Sequence, residues 1–348
     1  MPLRESHAIV IRWADQHWIL KMDSGTYFDD LEVGQLLPPS PDLTITSGEI
    51  AMYQSICGDP LSTSLSLPMA EKITGVSRRL VNPGLVMHVS IGQSTVATRR
   101  VIANLFYRGV SFKRPVFEGE TLHTEVKIKG LKDLSLREDR APRGLALLGI
   151  TTTCVEDGSL VVDYERCAML KARDDKKLPG HDDDLGSVEK EIILDNWEHL
   201  APSSWDVSPL KASEQNDLKF GEITVDELND TVSNAMELVR LTQNQAPVHR
   251  DASTSPTGER LVYGGHTIGM AQASLNRVMP GIATVLGWQS CDHLGPVHEG
   301  DVLSFQHTLL DQKELSVGKI SAIKTEVTSR RGLDTFDVLD WRLVVFGI

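Results

Sequence analysis

The sequence predicts an α+β protein built from two tandem copies of one unit, each an antiparallel sheet wrapped around a central helix. Three observations carry this: a long-range internal repeat, a Gly-initiated apolar segment in each copy, and a run of strand-like stretches after each such segment. The repeat is the firmest. Pro115-Val-Phe-Glu-Gly-Glu-Thr-Leu122 matches Pro296-Val-His-Glu-Gly-Asp-Val-Leu303 at an offset of 181. The same offset of 181 lays Val81-Asn-Pro-Gly-Leu-Val on Val262-Tyr-Gly-Gly-His-Thr, so Gly84 falls on Gly265. Val162-Asp-Tyr-Glu-Arg166 matches Leu339-Asp-Trp-Arg-Leu343 at an offset of 177, a loop difference of four residues. Three matches in one order mark a duplication, and about 130–150 residues per copy is an ordinary domain size.

The elements follow in order. Residues 1–25 read as an N-terminal extension: Arg12, Trp13, Asp15 and His17 interrupt any apolar signal-peptide region, and Met22 is an alternative start. The first copy, 26–172, opens with a helix over Ser47 to Cys57. The apolar segment from Gly84 lacks period-two alternation, so it reads as a buried helix rather than a strand. Strands are expected over Ala103 to Phe112, Thr121 to Lys129, Leu145 to Val155 and Leu160 to Leu170, with the clearest alternation in the second. Residues 173–200 read as a linker. It is polar and acidic, with Asp182, Asp183 and Asp184, and cannot bury enough apolar surface to order itself. The second copy, 201–348, repeats the scheme: a helix over Val225 to Leu241, a buried helix from Gly265, then strands over Ala283 to Ser290, Val302 to Leu310, Gly318 to Thr328 and Thr335 to Phe346.

Composition limits the function. The chain has 348 residues and a net charge of −13, which argues against a nucleic-acid partner because a phosphate backbone needs a basic face. No apolar run approaches the ~18 residues of a membrane span. Four cysteines (Cys57, Cys154, Cys167 and Cys291) form no C-x-x-C pair, which fits reduced thiols in a cytoplasmic protein. Cys291, His293 and His298 match no metal-ligand spacing, and no metal is expected. Arg108, Lys113 and Arg114 form a small basic cluster, either a solvated strand end or a contact for the phosphates of a ligand.

The chemistry concentrates between Leu241 and Ala271. Asn244 and His249 lie five residues apart, and Gly264-Gly265-His266 opens the second buried helix. A neutral imidazole can act as a base near neutral pH. A carboxamide can hold a water but cannot exchange a proton. A helix N-terminus offers free N–H groups and partial positive charge, and glycine lets a carbonyl approach them. The blander alternatives are a turn Asn, a satisfied loop His and a Gly selected by tight packing. The first copy keeps Gly58-Asp59 but has Ser64 where His249 would repeat, so it reads as a degenerate site with Asp59 as a turn or capping residue.

The Asn-x4-His spacing, the Gly that opens a buried helix and the Pro-Val-x-x-Gly-Asp step resemble the MaoC-like (R)-specific enoyl-CoA hydratases of the hotdog fold. The duplication resembles the double-hotdog branch. Arg260-Leu-Val-Tyr-Gly-Gly-His is similar to mesaconyl-CoA (2-methylfumaryl-CoA) hydratases, and Ala103-Asn-Leu-Phe-Tyr-Arg-Gly and Ser290-Cys-Asp-His-Leu-Gly-Pro resemble actinobacterial double-hotdog proteins without an assigned substrate. The resemblance implies a double hotdog acting on a 2-enoyl-CoA or 3-hydroxyacyl-CoA thioester, with His249 and Asn244 as catalytic pair. It implies that Gly265, with Gly264 and His266, holds the thioester oxygen, and that the degenerate copy shapes the acyl pocket. No cofactor is implied beyond the CoA of the substrate. Asn244 departs from the Asp usual in the family and leaves His249 both proton transfers. An acyl-CoA thioesterase and a non-catalytic acyl-CoA-binding protein remain as alternatives, and a homodimer remains open as the assembly state.

Overall fold

The computed structural model describes residues 8–12, 18–22, 26–137, 140–173, 177–210, 218–255 and 257–348. In the extension, β1 (Ala8–Arg12) and β2 (Trp18–Met22) pair with each other as an antiparallel ribbon outside the main sheet. The rest of the expectation for residues 1–25 lies outside the described residues.

In the first copy, β3 (Leu43–Thr44) leads into α1 (Ser47–Cys57), where it was expected. A capping box of Thr46 and Glu49 starts α1, and Gly58, left-handed at φ 64°, ends it. Two short helices follow, α2 (Ser62–Leu65) and α3 (Leu67–Thr74). The Gly-initiated segment is α4 (Pro83–Ser94), in which every residue is buried. The strands are β4 (Val101–Phe112), β5 (Thr121–Asp133), β6 (Arg143–Cys154) and β7 (Leu160–Lys171).

The second copy differs at its start. The helix expected from Val225 is confined to α5 (Ala235–Leu241), preceded by β8 (Ile223–Val225) and β9 (Asp230–Thr231). Asp226 explains the difference. Its carboxylate accepts from the Leu228 N–H at 3.0 Å, a local bond that competes with helix, and from Ser274 and Arg277. The buried helix is α6 (Gly264–Val278), followed by β10 (Ile282–His293), β11 (Val302–Glu314), β12 (Lys319–Arg331) and β13 (Asp334–Gly347).

Among the described residues the strands form one sheet of eleven, in the order β3-β5-β6-β7-β4-β10-β13-β12-β11-β8 with β9 also on β11. The two copies therefore share a sheet rather than closing two separate ones. The join is the antiparallel pair β4–β10, with Cys291 opposite Tyr107 and Gly287 opposite Ser111. A side chain at Gly287 would run into the Val110 carbonyl, so only glycine lets the two strands close here. α4 packs on β5 and β6, α6 packs on β11 and β12, and the two helices touch each other. Between them and the sheet lies one apolar core, which includes Trp288 and Trp341 edge-to-face at 5.3 Å.

From residue 177 to residue 200 the linker docks on the sheet rather than forming a core of its own. The Asp133 N–H donates to His181, the Asp183 N–H donates to Leu131, and Leu185 packs on Leu147 and Cys167. Leu194 and Trp197 then cover Ala283 and Leu286 of β10. The basic cluster is neutralised locally. Arg108 pairs with Glu165 at 2.8 Å, Lys113 with Asp163 at 3.1 Å and Arg114 with Glu120 at 2.8 Å. It is a paired strand end, not a free phosphate site.

Candidate active site

The internal duplication supplies its own control. In both copies the early helix ends in a left-handed residue, Gly58 (φ 64°) in the first and Gln243 (φ 58°) in the second. An Asx residue follows. Asp59 Oδ1 accepts from the Leu61 N–H at 3.0 Å, and Asn244 Oδ1 accepts from the Ala246 N–H at 3.0 Å. These are the same turn two residues long, so Asp59 and Asn244 are structural counterparts, as are Ser64 and His249.

From this common frame the copies diverge. Asp59 is fully buried and anchors the two copies to each other. Its carboxylate accepts from Asn82 at 2.8 Å and from two residues of α6, Gln272 at 2.7 Å and Asn276 at 2.7 Å. Asn82 also caps α4, its Oδ1 accepting from the Gly84 N–H at 2.8 Å. Ser64 Oγ is buried without a partner. The helix terminus of the first copy is thus closed by its own side chain, and its acid holds structure.

In the second copy the terminus stays open. Tyr263 stands where Asn82 does and makes no side-chain cap. Among the described residues the N–H groups of Gly264 and Gly265 find no acceptor, while that of His266 donates to the Tyr263 carbonyl at 2.8 Å. His249 Nδ1 lies 2.9 Å from the Leu261 carbonyl. A carbonyl only accepts, so Nδ1 carries the proton and Nε2 is left with a free lone pair. Burial in the site holds His249 down at about 4, opposed by the Leu261 bond and reinforced by Arg260, so the ring is neutral at physiological pH.

His249 and Asn244 line one cavity of about 270 Å³ together with Gly264, Tyr263, Thr267 and His293. The other wall comes from the first copy, through Thr98, Asn104, Tyr107 and Arg166. Of the residues singled out in the sequence, Asn244, His249 and Gly264 meet here. Gly265 is buried behind them, and a side chain on it would strike the Tyr263 ring; one on Gly264 would strike the ring of His293. His266 lies outside the cavity wall. It is buried with neither ring nitrogen partnered, held at about 4 by burial, on the side of His88. Asn244 also presents a different end from the one expected. Its oxygen is taken by the turn and its carbonyl by Arg250, so the amide nitrogen, a donor, is the group left over.

Sequence reasoning missed three cavity residues. Tyr263 was read only as part of a motif, although its hydroxyl is buried in the cavity region without a partner. His293 was weighed only as a metal ligand; among the described residues no group of three or more His, Cys, Asp or Glu is placed to hold a metal ion. Arg166 was read only as part of the internal repeat and given no role.

Five imidazoles are held in the neutral form mainly by burial: His88 at about 3, and His249, His266, His293 and His307 at about 4. In the unfolded chain they protonate near 6.5. The unfolded state therefore binds more protons between about pH 6.5 and 4, and stability falls as pH is lowered through that window. A urea midpoint that is level above pH 7 and drops clearly by pH 5 is the expected result; a midpoint unchanged at pH 5 would show that these rings are solvated.

No protein-family model matches the chain. It is 26% identical over 330 residues to the mesaconyl-CoA hydratase of Cereibacter sphaeroides, covering 91% of this chain and 93% of that protein. Its fold superposes on that of a MaoC domain protein from Chloroflexus aurantiacus with a TM-score of 0.76, at 24% identity over 94% of this chain and 98% of the other. The solved structure of RV0216 from Mycobacterium tuberculosis, a double-hotdog protein, matches at a TM-score of 0.82 and 37% identity, covering 93% of this chain and 99% of that one. The 37% identity over nearly the whole of both chains, on the same tandem architecture, means that the chain belongs to the double-hotdog family of that protein, with a MaoC-like fold.

Proposed function

We propose that the chain is a hydratase, and in reverse a dehydratase, that acts on a 2-enoyl-CoA thioester at the cavity of the second copy. The observation that carries this reading is the contrast between the copies. Where the first closes its helix terminus with Asn82, the second leaves the Gly264 and Gly265 N–H groups open beside a neutral His249 with Nε2 unprotonated.

The chemistry can be written on these groups. The thioester carbonyl lies at the α6 N-terminus, where free N–H donors and the helix dipole stabilise the negative charge that develops on its oxygen. Asn244 donates its amide to the attacking water and fixes it over the β-carbon. His249 Nε2 takes one proton of that water as its oxygen bonds to the β-carbon. The enolate so formed takes a proton at the α-carbon, and the imidazolium of His249 supplies it. One ring thus manages both transfers, as the absence of a carboxylate at position 244 requires. Family relationship and the likeness to a mesaconyl-CoA hydratase support the substrate class and make mesaconyl-CoA the first specific candidate.

The test is loss of enoyl absorbance from crotonyl-CoA and mesaconyl-CoA, run beside thiol release from saturated acyl-CoA. Hydration without thiol release is expected. Thiol release without hydration would replace this reading by a thioesterase, and tight binding with neither would leave an acyl-CoA-binding protein.

A further inference from the structure

The first copy buries a cation in the wall of the cavity. On β7, alternate residues Val162, Tyr164, Arg166, Ala168 and Leu170 all point inward and are buried. The repeat sets Arg166 on Leu343 of β13, which is fully buried in the core. One copy therefore places a guanidinium, 3% exposed, at a position its twin fills with leucine.

Among the described residues no acidic group neutralises this charge. Arg166 donates to the Ser94 carbonyl at 3.2 Å and to Thr98 Oγ1 at 2.8 Å, both neutral acceptors. Its Nε has no acceptor, and among the described residues it forms no ion pair. The neighbouring phenols supply no anion: Tyr107, directly across the strand, and Tyr164 are both held above the usual phenol range by burial. Asn104 lines the same wall with neither amide atom partnered. An unpaired buried charge is costly, and an anionic ligand group beside it would offset that cost. The planar fork of arginine fits a carboxylate with two parallel hydrogen bonds.

We propose that Arg166, with Asn104 beside it, binds a carboxylate at the far end of the acyl group, so that the chain selects CoA thioesters of dicarboxylic acids over neutral thioesters of the same length. The inference rests on reading the cavity as an acyl-CoA site, with the thioester at Gly264 and the acyl chain directed toward the first copy. On this assignment the degenerate copy supplies specificity as well as a wall.

Succinyl-CoA and butyryl-CoA form a matched pair, equal in chain length and differing in carboxylate against methyl. Neither has a double bond to hydrate, so their affinities can be measured by calorimetry without turnover. The wild-type chain is expected to bind succinyl-CoA at least ~10-fold more tightly. Arg166→Gln should weaken succinyl-CoA by about 30-fold or more and leave butyryl-CoA within about 3-fold. Asn104→Ala, which breaks no hydrogen bond of the side chain among the described residues, should weaken succinyl-CoA alone by a smaller factor. Equal affinity of the wild type for the two esters, binding of neither, or an equal loss for both in Arg166→Gln would overturn the proposal, the last because it is the mark of a structural or CoA-phosphate role. Preference for succinyl-CoA in a protein that hydrates no enoyl-CoA would keep this inference and sink the hydratase reading; hydration without preference would do the reverse.

Discussion

Replacing Asp59 by alanine is expected to destabilise the chain by about 3–5 kcal/mol. The carboxylate is fully buried and accepts four hydrogen bonds, from the Leu61 N–H and from the side-chain amides of Asn82, Gln272 and Asn276. Alanine would leave those donors buried and unpaired, at about 1–3 kcal/mol each before relaxation. Because Gln272 and Asn276 belong to α6, the loss falls on the contact that holds the site helix of one copy against the turn of the other. Asp59→Asn keeps the shape but turns an amide donor toward donors, so it should recover only part of the loss. Urea midpoints at pH 7 measure both variants. A midpoint for Asp59→Ala within ~0.5 kcal/mol of the wild type would mean that the clasp is not holding the copies together.

His249→Ala should lower enoyl-CoA hydration by about 10²–10⁴-fold, the usual worth of a positioned general base. The residue as a whole is half-buried, on a short turn at the cavity edge, so removing its ring should leave the fold intact. The same geometry sets the pH dependence. Nε2 is a base only while the ring is neutral. Burial holds His249 at about 4, so kcat/KM for the free enzyme should stay level from neutral pH to about pH 5 and fall only as pH approaches 4. A limb falling near pH 6.5 would place the ring in solvent and contradict its burial.

Much of the architecture was legible in the sequence because duplication repeats its signals. Both Gly-initiated segments became buried helices, and each expected strand appears, most of them extended at one end or both, while β6 stops at Cys154 and β12 begins at Lys319, each one residue inside the expected bound. The start of the second copy was misread because the stretch after Val225 carries no local sign that Asp226 will bond Leu228, Ser274 and Arg277. The single continuous sheet was also out of reach. It depends on β4 meeting β10 through Gly287, a contact between segments far apart in sequence.

At the site, spacing together with the repeat, the Gly-initiated helix and the family resemblance brought Asn244, His249 and Gly264 to notice. The role of Asn244 was less legible, because which end of a carboxamide faces a cavity depends on the turn that holds the other end. Arg166 did leave a signal. A charged residue on the inward face of an alternating strand, aligned with leucine in the twin, is visible once the two strands are set side by side.

The most direct measurement is the rate at which a 2-enoyl-CoA loses its absorbance with the wild-type chain, His249→Ala and Ser64→Ala in parallel. Ser64 is the counterpart of His249 in the closed copy, and its unpartnered hydroxyl can be removed at little cost. The account predicts that the wild type and Ser64→Ala hydrate at similar rates and that His249→Ala does not. Hydration by His249→Ala at the wild-type rate, or no hydration by the wild type of either crotonyl-CoA or mesaconyl-CoA, would contradict it.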